Sequence, residues 1–135
     1  MPKKFTHEIK VYYEDTDVGG VVYYSNYLKF LERARTEFLS SIGLSNNKLL
    51  QDYKTLIIVK SCNIEFVKSA KLEDRLKIFS SVDSFNKASF VMHQNIKKDD
   101  DLIIDAKLKL VTVNQEGKPI KIPLVLEKEF ANLSS

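Results

Sequence analysis

Glu14, Asp15 and Asp17 place three carboxylates in one short stretch, EDTDVGG, directly ahead of the pair Gly19 and Gly20. The next residues, VVYYSNYLKF, lead into a long amphipathic segment, so the acidic stretch sits a short hinge away from a helix start. The first amides of a helix have no intrahelical acceptor and carry the positive end of its dipole. If the glycines fold the chain back, a carboxylate comes to lie beside those amides. The amides can then hold a developing oxyanion, while the carboxylate activates water or attacks an acyl carbon itself. Of the three acids, Asp17 has the spacing for this work. An Asp-rich turn that is simply solvated is the plainer alternative.

The elements that must position this stretch follow from hydrophobic period. Phe5, His7, Ile9, Val11 and Tyr13 alternate with Thr6, Glu8, Lys10 and Tyr12, which predicts a strand over 5–13. The helix starts near Ser25 or Asn26, both N-cap residues, and Gly43 is placed to end it in a left-handed cap. At 100° per residue, Tyr27, Leu28, Phe30, Leu31, Ala34, Phe38, Leu39 and Ile42 share one broad face. Arg35 projects into that face, so a carboxylate partner or a subunit boundary is expected beside it. Residues 45–53 read as a short capped helix, followed by strand-like runs at 55–67, 75–85, 88–98 and 102–113. Asn86-Lys87 and Asp99 to Asp101 suit tight hairpin turns. Pro119 and Pro123 keep the tail, 118–135, out of a central strand and predict a peripheral segment on the surface. The order specifies an α+β domain spanning 1–135, a long helix wrapped by roughly five antiparallel strands. The two-sided apolar run TLIIV gives the sheet a second apolar face and predicts a homo-oligomer.

Composition removes several function classes. The net charge of +3 is spread along 135 residues without a basic block, which argues against a nucleic-acid groove. No apolar run is long enough to span a bilayer, and the N-terminus lacks the apolar core of a signal peptide, so the cytoplasm is expected. A single cysteine, Cys62, excludes an internal disulfide and suits a reducing compartment. His7 and His93 fall on separate strands without ligand spacing, so no metal site is predicted. Neither a G-x-S-x-G elbow, a phosphate-binding G-x-x-x-x-G-K nor a C-x-x-C is present.

The segment VYYEDTDVGGVVYYSNYLKFLERARTEFL resembles the signature of the 4-hydroxybenzoyl-CoA thioesterase family, in particular its YbgC-type acyl-CoA thioesterase branch. The likeness lies in D-T-D-x-G-G-V-V-Y, the following N-Y and the helical E-R-A-R-T-E. It continues through SCNIEFVKSAKLEDRL and covers about residues 7–113. It implies a hotdog fold and hydrolysis of an acyl-CoA thioester without metal or cofactor, a reaction of EC 3.1.2 type. It assigns the catalytic carboxylate to Asp17 and the carbonyl-polarising backbone amide to Tyr24, where many YbgC-type members carry His. Gly20, Val22, Asn26, Ser61, Asn63 and Lys87 fall at the family's substrate-binding positions, Lys87 toward the CoA phosphates. For Asn26, helix capping is the competing role. The resemblance further implies a homodimer or a dimer of dimers. A non-catalytic module binding acyl-CoA or an acyl carrier protein is the alternative, although it has no chemical need for Asp17 beside a double glycine. A hydratase on the same fold would want a histidine near the helix, and none is there.

Overall fold

In a computed structural model that describes residues 4–133, the chain runs β1 (Phe5–Lys10), α1 (Asn26–Ser41), α2 (Asn46–Tyr53), β2 (Leu56–Phe66), β3 (Arg75–Phe85), β4 (Ser89–Lys98), β5 (Asp101–Val113) and α3 (Leu124–Leu133). The ends of the expected domain, 1–3 and 134–135, lie outside the described residues. The five strands form one antiparallel sheet in the order β1-β3-β4-β5-β2, which curls around α1. This is the α+β helix-in-sheet arrangement that the element order predicts. Among the described residues, no helix is long and apolar enough to cross a membrane.

The core forms where the two periodicities meet. Tyr27, Phe30, Leu31, Ala34, Phe38 and Leu39 of α1 are buried against Leu76, Ile78 and Val82 of β3, Met92 and Ile96 of β4, and Leu108 and Leu110 of β5. Full burial of each large side chain here contributes about 1.5–3 kcal/mol. Two members of the predicted helical stripe fall outside it, because Leu28 is exposed and Ile42 only half-buried.

Three expectations change. First, β1 stops at Lys10 rather than Tyr13. The Tyr12 amide donates to Asp15 Oδ2 at 2.9 Å and closes a 3-10 turn over Tyr13–Asp15, so the chain bends away from β3. Second, the tail is not peripheral. Ile122, Leu126 and Phe130 recur at helical spacing and are all buried, with Phe130 stacked on Phe90 and Phe85. Pro123 sits just ahead of this helix, where its missing N–H costs nothing. Third, the outer face of the central strands is not a second apolar face. It carries a Lys107–Asp83 ion pair at 3.2 Å, His93 Nε2 against Asp105 Oδ1 at 2.5 Å, and Lys97 over the Phe79 ring. One group of exposed apolar residues, Tyr24, Leu28, Ile58, Val59 and Phe66, lies along β2 and the entry to α1, and another, Tyr12, Tyr13 and Val18, lies on the acidic loop.

Candidate active site

The acidic stretch does fold back onto the start of α1. Thr16 bridges Val22, the Asp17 amide donates to Val21 O at 2.9 Å, and the Tyr23 amide donates to Asp15 O at 3.0 Å. Gly20 takes a φ of 79°, the left-handed conformation that the reversal needs. Gly19 serves by its size instead. Its amide donates to Asp17 Oδ1 at 2.8 Å, and a Cβ on it would meet that oxygen at 3.3 Å. The hairpin is pinned again by Asn26, whose Nδ2 donates to Asp15 O at 2.9 Å. Asn26 is therefore the first residue of α1, not its cap, and its Nδ2 braces helix against loop.

The three carboxylates separate by role. Asp15 is buried and holds the Tyr12 amide, so it shapes the turn. Glu14 is exposed outside it. Asp17 is exposed as well, with one oxygen turned to Gly19 and the other without a partner among the described residues. The Tyr24 and Ser25 amides also donate to nothing among the described residues, and Ser25 supplies no side-chain cap to α1. The Asp17 carboxylate and the open amides thus belong to one hairpin that leads into the helix. The Tyr24 ring stacks edge-on against Phe66 of β2 at 6.1 Å and lies 4.9 Å from Tyr23. Interaction with the Tyr24 hydroxyl raises the pKa of Tyr23, so that phenol is neutral near pH 7.

The other residues singled out in the sequence divide. Gly20 stands in the loop, but Val22 is a core residue whose amide is spent on Ala70 O at 2.8 Å. In β2, Ser61 pairs with Lys109 and Asn63 with Lys107, both on the outer face, whereas Cys62 pairs with Leu108 on the helix side. Period two separates the three, so Ser61 and Asn63 point away from the helix side of their own protomer. Lys87 lies in the β3–β4 turn. The β3 strand starts beside the Asp17 loop and runs eleven residues away from it, about 35 Å. One protomer does not bring Lys87 to Asp17.

The sequence reading missed a cavity of about 320 Å³ between α1, β2 and α3, walled by Phe38, Leu39, Met92, Leu110, Leu126 and Phe130. Arg35 lines it without a carboxylate partner, one of the two surroundings expected for it, the other being a subunit boundary. Its guanidinium donates to Gln94 Oε1 at 2.9 Å and enters none of the ion pairs among the described residues. Desolvation lowers its pKa, an effect opposed by Glu32 and Cys62. Neither Asp17 nor Tyr24 lines this cavity or two others along α1, of about 270 and 420 Å³. No metal-binding cluster of His, Cys, Asp or Glu is found among the described residues.

A profile of the thioesterase-like superfamily matches residues 11–130. The acyl-CoA thioesterase YbgC of Haemophilus influenzae is 34% identical over 130 residues, covering 96% of this chain and 96% of that protein. The acyl-CoA thioester hydrolase YbgC of Escherichia coli O6:H1 is 35% identical over 128 residues, covering 93% of this chain and 95% of that one. Among solved structures, a 1,4-dihydroxy-2-naphthoyl-CoA thioesterase from Synechocystis superposes with a TM-score of 0.88 at 25% identity, covering 97% of this chain and 98% of the other.

Proposed function

We propose that this chain, which belongs to the thioesterase-like superfamily, hydrolyses acyl-CoA thioesters at the N-terminal end of α1. The observation that carries the reading is the hairpin over residues 15–23. It carries an Asp17 oxygen with no partner among the described residues on the loop that leads into α1, and the Tyr24 and Ser25 amides at the base of that loop are open. With the thioester carbonyl oxygen on those amides, charge developing on it meets fixed N–H dipoles. Two routes then use the same carboxylate. In one, Asp17 adds to the carbonyl carbon and expels CoA as thiolate, leaving a mixed anhydride that water cleaves to free acid and regenerated Asp17. In the other, Asp17 takes a proton from the water that attacks. Neither needs a metal or an organic cofactor.

The exposure of Asp17 and of the α1–β2 cleft fits a site completed by a second copy. β2 is an edge strand of eleven residues with one side unpaired, and it exposes Ile58, Val59 and Phe66. Edges of that length are usually covered. A homodimer formed along β2 would shield Ile58, Val59, Phe66 and Leu28, and wall in the cleft. An antiparallel match of two β2 strands would set the far end of the partner sheet, with its Lys87, toward the first protomer's Asp17. That gives Lys87 a route to the CoA phosphates which a lone protomer denies it. Further pairing of dimers is compatible with the polar outer sheet face. The free thiol of Cys62 suits a reducing compartment such as the cytoplasm.

The test is thiol release from acyl-CoA substrates of graded chain length, wild type beside Asp17→Asn. The variant is expected to lose about 10²-fold or more in kcat/KM. Equal rates would remove the mechanism, and tight acyl-CoA binding without turnover by the wild type would favour the binding-module alternative. Label in Asp17 after a single turnover in ¹⁸O-water would establish the anhydride route, because the water oxygen enters that carboxyl only by cleaving the anhydride at the Asp17 carbonyl.

A further inference from the structure

We propose that Arg35 selects the acyl group, and that the cavity between α1, β2 and α3 takes an acyl chain ending in a carboxylate. The assignment rests on the thioesterase reading above and names its substrate class: CoA monoesters of short dicarboxylic acids.

The cavity has an apolar wall with one built cationic feature. Phe38, Leu39, Met92, Leu110, Leu126 and Phe130 would suit any hydrocarbon. Arg35 would not, because a guanidinium has five N–H donors and here uses one, toward Gln94 Oε1 at 2.9 Å. Gln94 is fully buried and cannot turn. Its Nε2 donates to Leu31 O at 3.1 Å and to Ser80 Oγ at 2.9 Å, which fixes its oxygen toward Arg35. Elements α1, β3 and β4 thus each give a polar group to orient one cation, where an apolar side chain would have packed. The remaining donors of Arg35 find no acceptor among the described residues. The other charged or titratable groups that line the cavity or act on Arg35 are Glu32, exposed at the rim and outside ion-pair distance, and Cys62, whose thiol burial pushes up. An alkyl end would leave the half-buried guanidinium against methylenes, whereas a carboxylate accepts two parallel N–H bonds from it.

The length also fits. Arg35 lies eleven residues beyond Tyr24, about 16 Å along the helix axis. Long helical side chains lean toward the N-terminus, so the gap between the open amides and the guanidinium is shorter than that rise. Phe66 beside Tyr24 and Val59 at the cavity mark the same α1–β2 cleft from end to end. A carboxyl-terminated chain of about six to eight carbons spans such a gap, and a cavity of about 320 Å³ holds on the order of ten water-sized groups.

The experiment compares adipoyl-CoA with hexanoyl-CoA, which differ only at the chain end, in the wild type, Arg35→Met and Arg35→Lys. The wild type is expected to favour adipoyl-CoA by at least about tenfold in kcat/KM, since a site with unmet donors rejects the analogue lacking the acceptor. Arg35→Met should bring the ratio to about one or below, and Arg35→Lys should fall between, having charge without the fork. Wild-type preference for hexanoyl-CoA, or a ratio unmoved by either variant, would overturn the assignment and leave Arg35 as a packing residue. If the Met variant fails to fold, the wild-type ratio and the Lys variant still decide. Absence of turnover with both substrates would count against the thioesterase reading instead. Calorimetric Kd values for the two ligands on the wild type then judge the cavity, with equal affinities overturning it.

Discussion

At its C-terminal end α1 closes on itself. Gly43 takes a φ of 77°, the Leu44 amide returns to Leu39 O at 2.8 Å, and the buried side chains of Leu39 and Leu44 seal the cap. These are the bonds and the apolar contact of a Schellman motif, and they leave few carbonyls unsatisfied. The N-terminal end is finished in the opposite way. Ser25 has the right identity for a cap and does not cap; the amides ahead of the first turn stay open, and the neighbouring carboxylate is exposed. Helix α2 shows what the same residue type does elsewhere, since Ser45 accepts the Lys48 amide at 3.0 Å. The open Tyr24 and Ser25 amides lie ahead of any that a Ser25 cap would take, and free donors of this kind are what an oxyanion requires. The difference separates a closed end from one with donors to spare, the end at which we propose the chemistry.

That contrast can be broken by substitution. The largest effect should come from Asp17→Asn, which cuts thioester hydrolysis about 10²-fold or more while leaving denaturant stability within about 0.5 kcal/mol. The amide oxygen can still accept from Gly19, so a stability loss comparable to the activity loss would make Asp17 a turn residue. Next comes Gly43→Ala. A Cβ there meets nothing within 4 Å, so the cost is conformational alone, about 1–2 kcal/mol in urea unfolding, with turnover per folded molecule retained. A smaller and sharper pair is Ser45→Ala against Ser25→Ala. The first should cost about 1 kcal/mol and the second less than about 0.5 kcal/mol, and equal losses would mean that Ser25 caps in solution. The smallest effect concerns pH. Tyr27 is buried where its hydroxyl accepts the Ala70 amide at 3.0 Å, and burial raises its pKa. The folded protein therefore keeps this proton where the unfolded chain loses it. Its contribution to stability is intact below about pH 10 and declines as pH rises through the folded pKa. Tyr27→Phe should flatten that alkaline slope in pH-dependent unfolding.

Much of the fold could be read along the chain. The strand alternation at 75–85, the Gly43 stop and the Ser45 start all depend on residues within a few positions of one another, and each appears where expected. The errors have a common cause. The alternation Phe5 to Tyr13 continues past Lys10, but the Asp15 carboxylate captures the Tyr12 amide and turns the backbone. The prolines of the tail argue against a central strand, while the spacing of Ile122, Leu126 and Phe130 carries the helical signal of α3. At the site, the sequence marked Asp17 and Tyr24 but could not assign Asn26. Whether its amide caps, binds or braces depends on which loop comes back to meet it.

The sequence by itself determined the helix and strand positions, the acidic hairpin and its glycines, and the family, because those are encoded in residue types and short spacings. Tertiary structure alone decided that Gln94, fifty-nine positions away, would meet Arg35, that the tail would close a cavity over it, and that β2 would remain an open edge. Those outcomes depend on which distant surfaces pack together. No local pattern holds that information, since it arises only when the sheet has curled around α1.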